Sequence, residues 1–289
     1  MGLLETEETN QFTFERFAAH QFYTDVNRLL VEQALAHLTD TSSTQPLTIV
    51  DMACGTGAIT RLIAQEMARQ NLLPRLRLIG VDPSAEALRH ARTGMDELGL
   101  PVEAKFIQGE AEDLPKLVQN ADAAFFCNAI HLVPDKRAAF QQMATILRPS
   151  GIFACNSAFY EGTYVPGTER FYRLWTRRAI GWLRKEHPGV RPSREEHTMA
   201  MQWLTPDDYV QLFKECGFSD VEIKNNDALI SLDAWRDLGH YWLFIDGALP
   251  GVPLPVAAQA LDVAVYEAGN ELGFSEVART WLQIVATKQ

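Results

Sequence analysis

The chain has 289 residues, 47% hydrophobic and 22% charged, which is ordinary globular usage and excludes disordered and collagen-like structure. Its 26 Lys and Arg against 37 Asp and Glu leave a formal charge of −11. A chain this acidic is repelled by polyphosphate, which sets aside nucleic acid and anionic membrane surfaces as partners.

No apolar run approaches the ~18 residues that suggest a membrane span. The opening MGLLETEETN has neither the basic nor the apolar stretch of a secretory signal, so a cytoplasmic protein is expected. Cys54, Cys127, Cys155 and Cys216 are far apart, with no ligand spacing that would suggest a disulfide framework or a metal site. At about 100–200 residues per domain the length allows one large domain or two small ones.

Residues 1–11 are polar and acidic. From Phe12 to about Leu38 apolar residues recur at spacings of three and four, which predicts helix. TDTSSTQP (39–46) reads as a linker. Strand-like and helix-like segments then alternate. LTIVDMA (47–53), LRLIGVD (76–82), VEAKFIQ (102–108), DAAFFCNA (122–129) and GIFACNSA (151–158) read as strands. Residues 57–70, 84–99 and 135–147 read as helices between them. Short apolar strands joined by helices predict a doubly wound, mostly parallel α/β sheet.

After Ala158 the alternation breaks. Residues 159–204 are rich in aromatic and basic side chains. Residues 205–216 read as a helix with Thr205 as N-cap and Pro206 in the first turn. GFSDVEIK (217–224) and RTWLQIVATK (279–288) read as two late strands, with mostly helical sequence over 231–275. The expected organisation is an N-terminal helical lid (1–40), a core (41–158), an aromatic cap (159–204), and the end of the sheet (205–289) with its own helical insertion.

The chemistry concentrates at strand ends. Ile49 to Gly57 runs from a buried strand into a Gly-x-Gly turn that opens a helix, whose free N–H groups and positive dipole end suit an anionic group. A pyrophosphate site would want a third glycine where Thr60 stands, and Asp51 lies at the strand end. An acid there favours a ligand carrying an amine or hydroxyls. Asp82, at the tip of the second strand, can accept both hydroxyl protons of a ribose. It could equally serve the turn ahead of Ser84.

These residues together resemble the class I S-adenosylmethionine-dependent methyltransferases, over about residues 47–158. Asp51-x-Ala53-x-Gly55-x-Gly57 is similar to that family's acidic, glycine-rich loop, with Ala53 in place of its first glycine. Asp82-Pro83 matches the ribose-binding acid and its neighbour. Gly109-Glu110-Ala111-Glu112-Asp113-Leu114-Pro115 resembles the adenine-binding segment, and Asn128 stands where the fourth strand leaves the sheet. Leu147-Arg148-Pro149-Ser150-Gly151 resembles the turn before the fifth strand, with Ser150 for a glycine. The resemblance implies S-adenosyl-L-methionine as cofactor, S-adenosyl-L-homocysteine as product, and strand order 3-2-1-4-5-7-6 with the last strand antiparallel. The cofactor residues it implies are Asp51, Ala53, Gly55, Gly57, Asp82, Pro83, Glu110, Ala111, Glu112 and Asn128.

Methyl transfer is an in-line displacement in which the protein aligns the reactants and excludes water. A base is needed only where the acceptor must lose a proton. His131, three residues past Asn128, is the best-placed one, or else a packed histidine that shapes the pocket. The aromatic insertions are expected to cover a small, largely apolar acceptor, with Tyr23, Tyr160, Trp175 and Trp203 as its contacts. The same rings could instead pack the insertions onto the sheet.

Arg170, Arg173, Arg177 and Arg184 form one helix stripe, either solvated or gripping an anion. Oxygen methylation of a carboxylate or hydroxyl is the leading expectation, then carbon or nitrogen methylation. A catalytically silent cofactor-binding subunit is the non-enzyme alternative. Monomer and homodimer are equally compatible with the sequence.

Overall fold

A computed structural model describes residues 11–38, 45–193 and 203–289. The acidic start, residues 39–44 of the expected linker, and residues 194–202 of the expected cap lie outside them.

Seven strands, β1 (Leu47–Met52), β2 (Leu76–Asp82), β3 (Glu103–Gln108), β4 (Ala121–Cys127), β5 (Leu147–Ser157), β6 (Phe218–Ser231) and β7 (Glu276–Lys288), form one sheet. Their order is β3-β2-β1-β4-β5-β7-β6. The neighbours from β3 to β5 are parallel, and β7 runs antiparallel to β5, pairing Ile152 with Thr287 through Ser157 with Leu282. The expected order and the antiparallel last strand both hold. Parallel strands joined by crossovers must be covered on both faces, which is why β1 and β4 are apolar almost without interruption.

The eleven helices among the described residues are α1 (Glu15–Ala18), α2 (Gln21–Ala36), α3 (Ala58–Arg69), α4 (Ala85–Leu98), α5 (Leu114–Leu117), α6 (Lys136–Ile146), α7 (Glu169–Glu186), α8 (Pro206–Glu215), α9 (Leu232–Leu238), α10 (Trp242–Ala248) and α11 (Leu254–Leu272). The predicted helix from Phe12 to Leu38 is two helices, broken at Ala19–His20. α8 starts where its sequence says: Thr205 and Asp208 form a capping box, with Pro206 in the first turn.

Three predicted strands are longer than read, β7 by starting at Glu276 and not at Arg279. β5 begins at Leu147, with an irregularity opposite Ala121 and Ala123 that absorbs the Pro149-Ser150 turn. β6 continues through Asn225-Asn226-Asp227, residues poor in β propensity. There Asn226 donates to Gln283 Oε1 at 2.8 Å, and Asp227 accepts from the Thr280 hydroxyl at 2.6 Å.

The chain groups into two compact units: Asp25–Glu161 with Gln202–Asn226 and Trp281–Gln289, and Met1–Thr24 with Gly162–Met201 and Asp227–Thr280. This grouping divides the expected lid between the two units. α2 from Asp25 onward belongs with the sheet, where Val26, Leu30, Val31, Ala34 and Leu35 are buried. The core unit is clamped by a herringbone of Phe140, Phe153, Phe213 and Phe218, ring centres 4.7–5.4 Å apart. Each such ring contributes about 1.5–3 kcal/mol by burial. In the helical unit α7 packs on α11, whose buried face is mostly alanine and lets the helices approach closely.

Candidate functional site

The carboxyl ends of β1, β2 and β3 are laced into one rim. Asp51, buried in β1 next to its last residue Met52, accepts from the Thr60 hydroxyl of α3 at 2.5 Å. Thr60, the residue where a dinucleotide loop would have glycine, is thus a partner for the acid. Burial pushes the Asp51 carboxyl up to about 7, against the Thr60 hydrogen bond and with the help of the Asp82 charge. Ala53, Gly55 and Gly57 all have left-handed backbone, φ 53°, 52° and 81°. Gly57 caps α3, and a Cβ there would lie 3.0 Å from Ala91 Cβ, so no side chain fits.

Asp82 joins two loops. Its Oδ2 accepts the Gly55 amide at 2.8 Å and its Oδ1 the Ser84 amide at 2.9 Å. The Ser84 hydroxyl in turn caps α4. The expected role of Asp82 in the turn ahead of Ser84 is thus seen in the structure. Gly109 donates to the Asp82 carbonyl at 3.1 Å and Cys54 to the Val81 carbonyl at 3.1 Å, which brings the third loop alongside. Glu110 and Glu112 are exposed, Ala111 is buried in a short 3-10 turn, and the Glu110 carboxylate does not cap that turn. Pro83 is exposed beside Asp82.

β4 ends two residues earlier than read because Asn128 turns to φ 55°. Four side chains that the sequence did not single out, or not together, meet there. Asn27 Oδ1 accepts from Asn128 Nδ2 at 3.0 Å and from Asn156 Nδ2 at 2.8 Å. Asn156 Oδ1 accepts the Asn128 amide at 2.9 Å, and the Trp281 indole donates to Asn128 Oδ1 at 2.9 Å. Asn27 sits on the apolar stripe of a helix and Asn156 inside an apolar strand. A buried amide at such positions is the signal that could have found them.

His131 is buried in the short turn after β4, stacked on Phe159 at 4.4 Å, with Nδ1 3.2 Å from Ser157 Oγ. Ser157 donates to the Phe159 carbonyl at 3.3 Å and accepts the Phe159 amide at 2.9 Å. The Ser157 hydroxyl thus links the His131 ring to the Phe159 backbone, and the imidazole tautomer decides which of Nδ1 and Oγ donates.

The rim lies where the strand order reverses, at the carboxyl ends of β1 and β4, which is where open α/β sheets bind ligands. A family model described as a methyltransferase domain matches residues 49–151, which contain this entire rim. Residues 49–151 are a class I S-adenosylmethionine-dependent methyltransferase domain.

A ubiquinone/menaquinone biosynthesis C-methyltransferase of Rickettsia typhi is 29% identical over 184 residues, 61% of this chain and 70% of that protein. A demethylmenaquinone methyltransferase of Desulfitobacterium hafniense is 22% identical over 182 residues, 62% and 68% of the two chains. The fold of a putative sarcosine dimethylglycine methyltransferase from Galdieria sulphuraria superposes with TM-score 0.56 at 14% identity, covering 98% of this chain and 99% of that one.

The methyltransferase uses S-adenosylmethionine, and its rim suits that molecule: the carboxyls of Asp51 and Asp82 stand at the ends of neighbouring strands, and a Cβ on Gly55 between them would meet nothing within 4 Å. Among the described residues no helix is long and apolar enough to cross a membrane.

Of the four aromatic acceptor contacts expected, two are accounted for by packing. Trp175 is fully buried in the helical unit and its indole donates to the Leu261 carbonyl at 2.9 Å. Tyr160 is fully buried in the core unit, its hydroxyl 3.3 Å from Asn225 Oδ1. Trp203, in the core unit, is half-buried with its ring 6.3 Å from Phe159. Tyr23, in the helical unit, is buried against Phe14 and Phe17.

Arg170, Arg173, Arg177 and Arg184 are all exposed, and Arg170 covers the Phe274 ring, so the stripe is a solvated face. His20 pairs with Asp237 at 2.8 Å within the helical unit. Burial pushes the thiols of Cys54, Cys127 and Cys155 up, which makes them neutral fillers.

Proposed function

We propose that this methyltransferase methylates a carbon atom of a small, largely apolar acceptor that becomes nucleophilic when an adjoining hydroxyl loses its proton. The observation that carries this reading is the buried His131 in the turn after β4, its Nδ1 3.2 Å from Ser157 Oγ and its ring stacked on Phe159. The names of the relatives in Rickettsia and Desulfitobacterium favour carbon over the oxygen expected from the sequence.

S-adenosylmethionine supplies an electrophilic methyl with a neutral leaving group. In this reading Asp82 receives the ribose hydroxyls while Pro83, Glu110, Ala111 and Glu112 border the adenine. Asp51, Ala53, Gly55, Gly57 and Asn128 line the amino-acid portion, and His131 takes the acceptor proton. Ser157 and Phe159 fix the imidazole so that no reorientation is needed as the proton moves. Trp203 contributes apolar surface for the acceptor, and Tyr160 supports it from within the core unit. Oxygen methylation of the same phenol or enol is the second reading, since it needs the same base.

Methyl-13C-labelled S-adenosylmethionine with a panel of phenols and enols separates the two. NMR of the product should show a carbon-bound methyl, and S-adenosylhomocysteine should form only with His131 intact. A methyl found solely on oxygen would transfer the conclusion to the second reading.

A further inference from the structure

Within the core unit, α2 brings a buried amide to the end of β4. Asn27 is fully buried beside Leu30, Val31 and Ala34 of the same helix face. Burial alone is met at lower cost by an apolar residue, so the amide is explained by what it holds. Both lone pairs of its Oδ1 are engaged: Asn128 Nδ2 donates at 3.0 Å and Asn156 Nδ2 at 2.8 Å.

Asn156 in turn fixes the Asn128 main chain, its Oδ1 accepting the Asn128 amide at 2.9 Å. The Trp281 indole of β7 donates to Asn128 Oδ1 at 2.9 Å. Asn128 is therefore held at its side-chain oxygen, its side-chain nitrogen and its main-chain N–H. Asn27, Asn156 and Trp281 are buried behind it, whereas Asn128 is half-buried at the strand end, in a left-handed turn of φ 55°. Asn tolerates such a turn better than most L-residues, but the conformation still has to be held.

α2 is seated by a second clasp. Gln283 of β7, also buried, donates from Nε2 to the Val26 carbonyl at 2.5 Å, and its Oε1 accepts from Asn226 at 2.8 Å. This fixes the helix one residue before Asn27, so the shared oxygen and the helix move together. A satisfied buried polar network specifies one arrangement where apolar packing tolerates several.

We propose that Asn27 is a positioning residue for cofactor binding. It holds the Asn128 turn through the Asn128 side chain directly and through Asn156 at the amide, and thereby links the seating of α2 to the rim. This role rests on the reading above in which Asn128 lines the amino-acid portion of the cofactor. The link is reciprocal: a cofactor that favours the held turn must also tighten α2.

Calorimetry with S-adenosylhomocysteine tests it on the full chain, at a temperature where circular dichroism shows each variant folded. Asn27→Leu should weaken binding about five- to tenfold, and Trp281→Phe, which keeps a ring and removes one donor, severalfold. Asn128→Ala should weaken it at least as much as Asn27→Leu. Combining the two should cause little further loss, because they act as one unit. Hydrogen exchange over residues 25–36 should slow when S-adenosylhomocysteine binds the wild type, and not when it binds Asn27→Leu. Should Asn27→Leu not fold, Trp281→Phe and the wild-type exchange decide. Wild-type affinity in Asn27→Leu beside a loss in Asn128→Ala would overturn the positioning role alone. Wild-type affinity in Asn128→Ala would overturn the reading of Asn128 and this role with it. Fully additive losses in the double variant, or exchange over 25–36 unchanged by the ligand, would also overturn the role.

Discussion

The Gly55 amide and Asp82 Oδ2 are joined by a 2.8 Å hydrogen bond that ties the loop after β1 to the tip of β2. Asp82→Ala should therefore weaken S-adenosylmethionine binding by about ten- to a hundredfold, the loss of about 1.5–3 kcal/mol from charge-assisted bonds. Calorimetry measures this directly. Unchanged affinity would remove Asp82 from the cofactor site.

Asp51 should make the protein less stable as pH rises. Its folded value of about 7 lies above its ordinary 3.8. The folded state therefore holds the proton after the unfolded chain has released it. The favourable contribution is full below pH 3.8, declines through the interval up to about 7, and is gone above it. About three pH units correspond to a few kcal/mol at most. Urea denaturation of Asp51→Asn at pH 5 and pH 8 should show a smaller decline than the wild type. Parallel curves for the two proteins would contradict the assignment.

His131→Ala should lower turnover by about 10²–10⁴ if the acceptor loses a proton in the transfer step. Ser157→Ala should cost less, because it loosens the ring without removing the base. A normal rate in His131→Ala would return the residue to packing.

Ala53 and Ser150 stand where the family pattern has glycine, and both adopt left-handed backbone, φ 53° and 61°. An L-residue there costs about 1–2 kcal/mol, against about 0.4–1 kcal/mol of added unfolded-chain entropy for glycine. Ala53→Gly and Ser150→Gly should each raise Tm by about 1–3 °C. A fall in Tm at either position would mean that the side chain contributes contacts outweighing the strain.

Asn27→Leu should be far more damaging than an ordinary helix substitution. It removes the one oxygen that receives both Asn128 Nδ2 and Asn156 Nδ2. Two amides left unsatisfied cost about 2–4 kcal/mol, visible as a lower urea midpoint. An unaltered midpoint would show that other groups replace the acceptor.

The first five strands and the strand-end acids were legible because each depends on local pattern: an apolar run, a turn glycine, an acid at the tip. The family resemblance added the strand order, which no local pattern encodes. Asn27, Asn156, Ser157 and Trp281 were not legible as a group, since only the folded topology brings residues so distant in sequence to one place. The continuation of β6 through Asn225–Asp227 was hidden for the same reason: its polar residues are at home in a strand only because β7 supplies Gln283 and Thr280. For Trp175 and Tyr160 the sequence left packing and ligand contact open, and both are buried in their units. Aromatic abundance looks the same in a sequence whether the rings face a ligand or a neighbouring helix.

The position of β7 bears on how the protein is made. The strand comes seventh in sequence but lies between β5 and β6. On the ribosome, β5 and β6 therefore have no strand between them until residues 276–288 have left the exit tunnel. During that interval the β5 edge presents a row of unpaired amides and carbonyls, a template for pairing with another nascent chain. The sheet can be completed only after nearly the whole chain is synthesised, and production in a cell lacking holdase chaperones should expose that interval as aggregation.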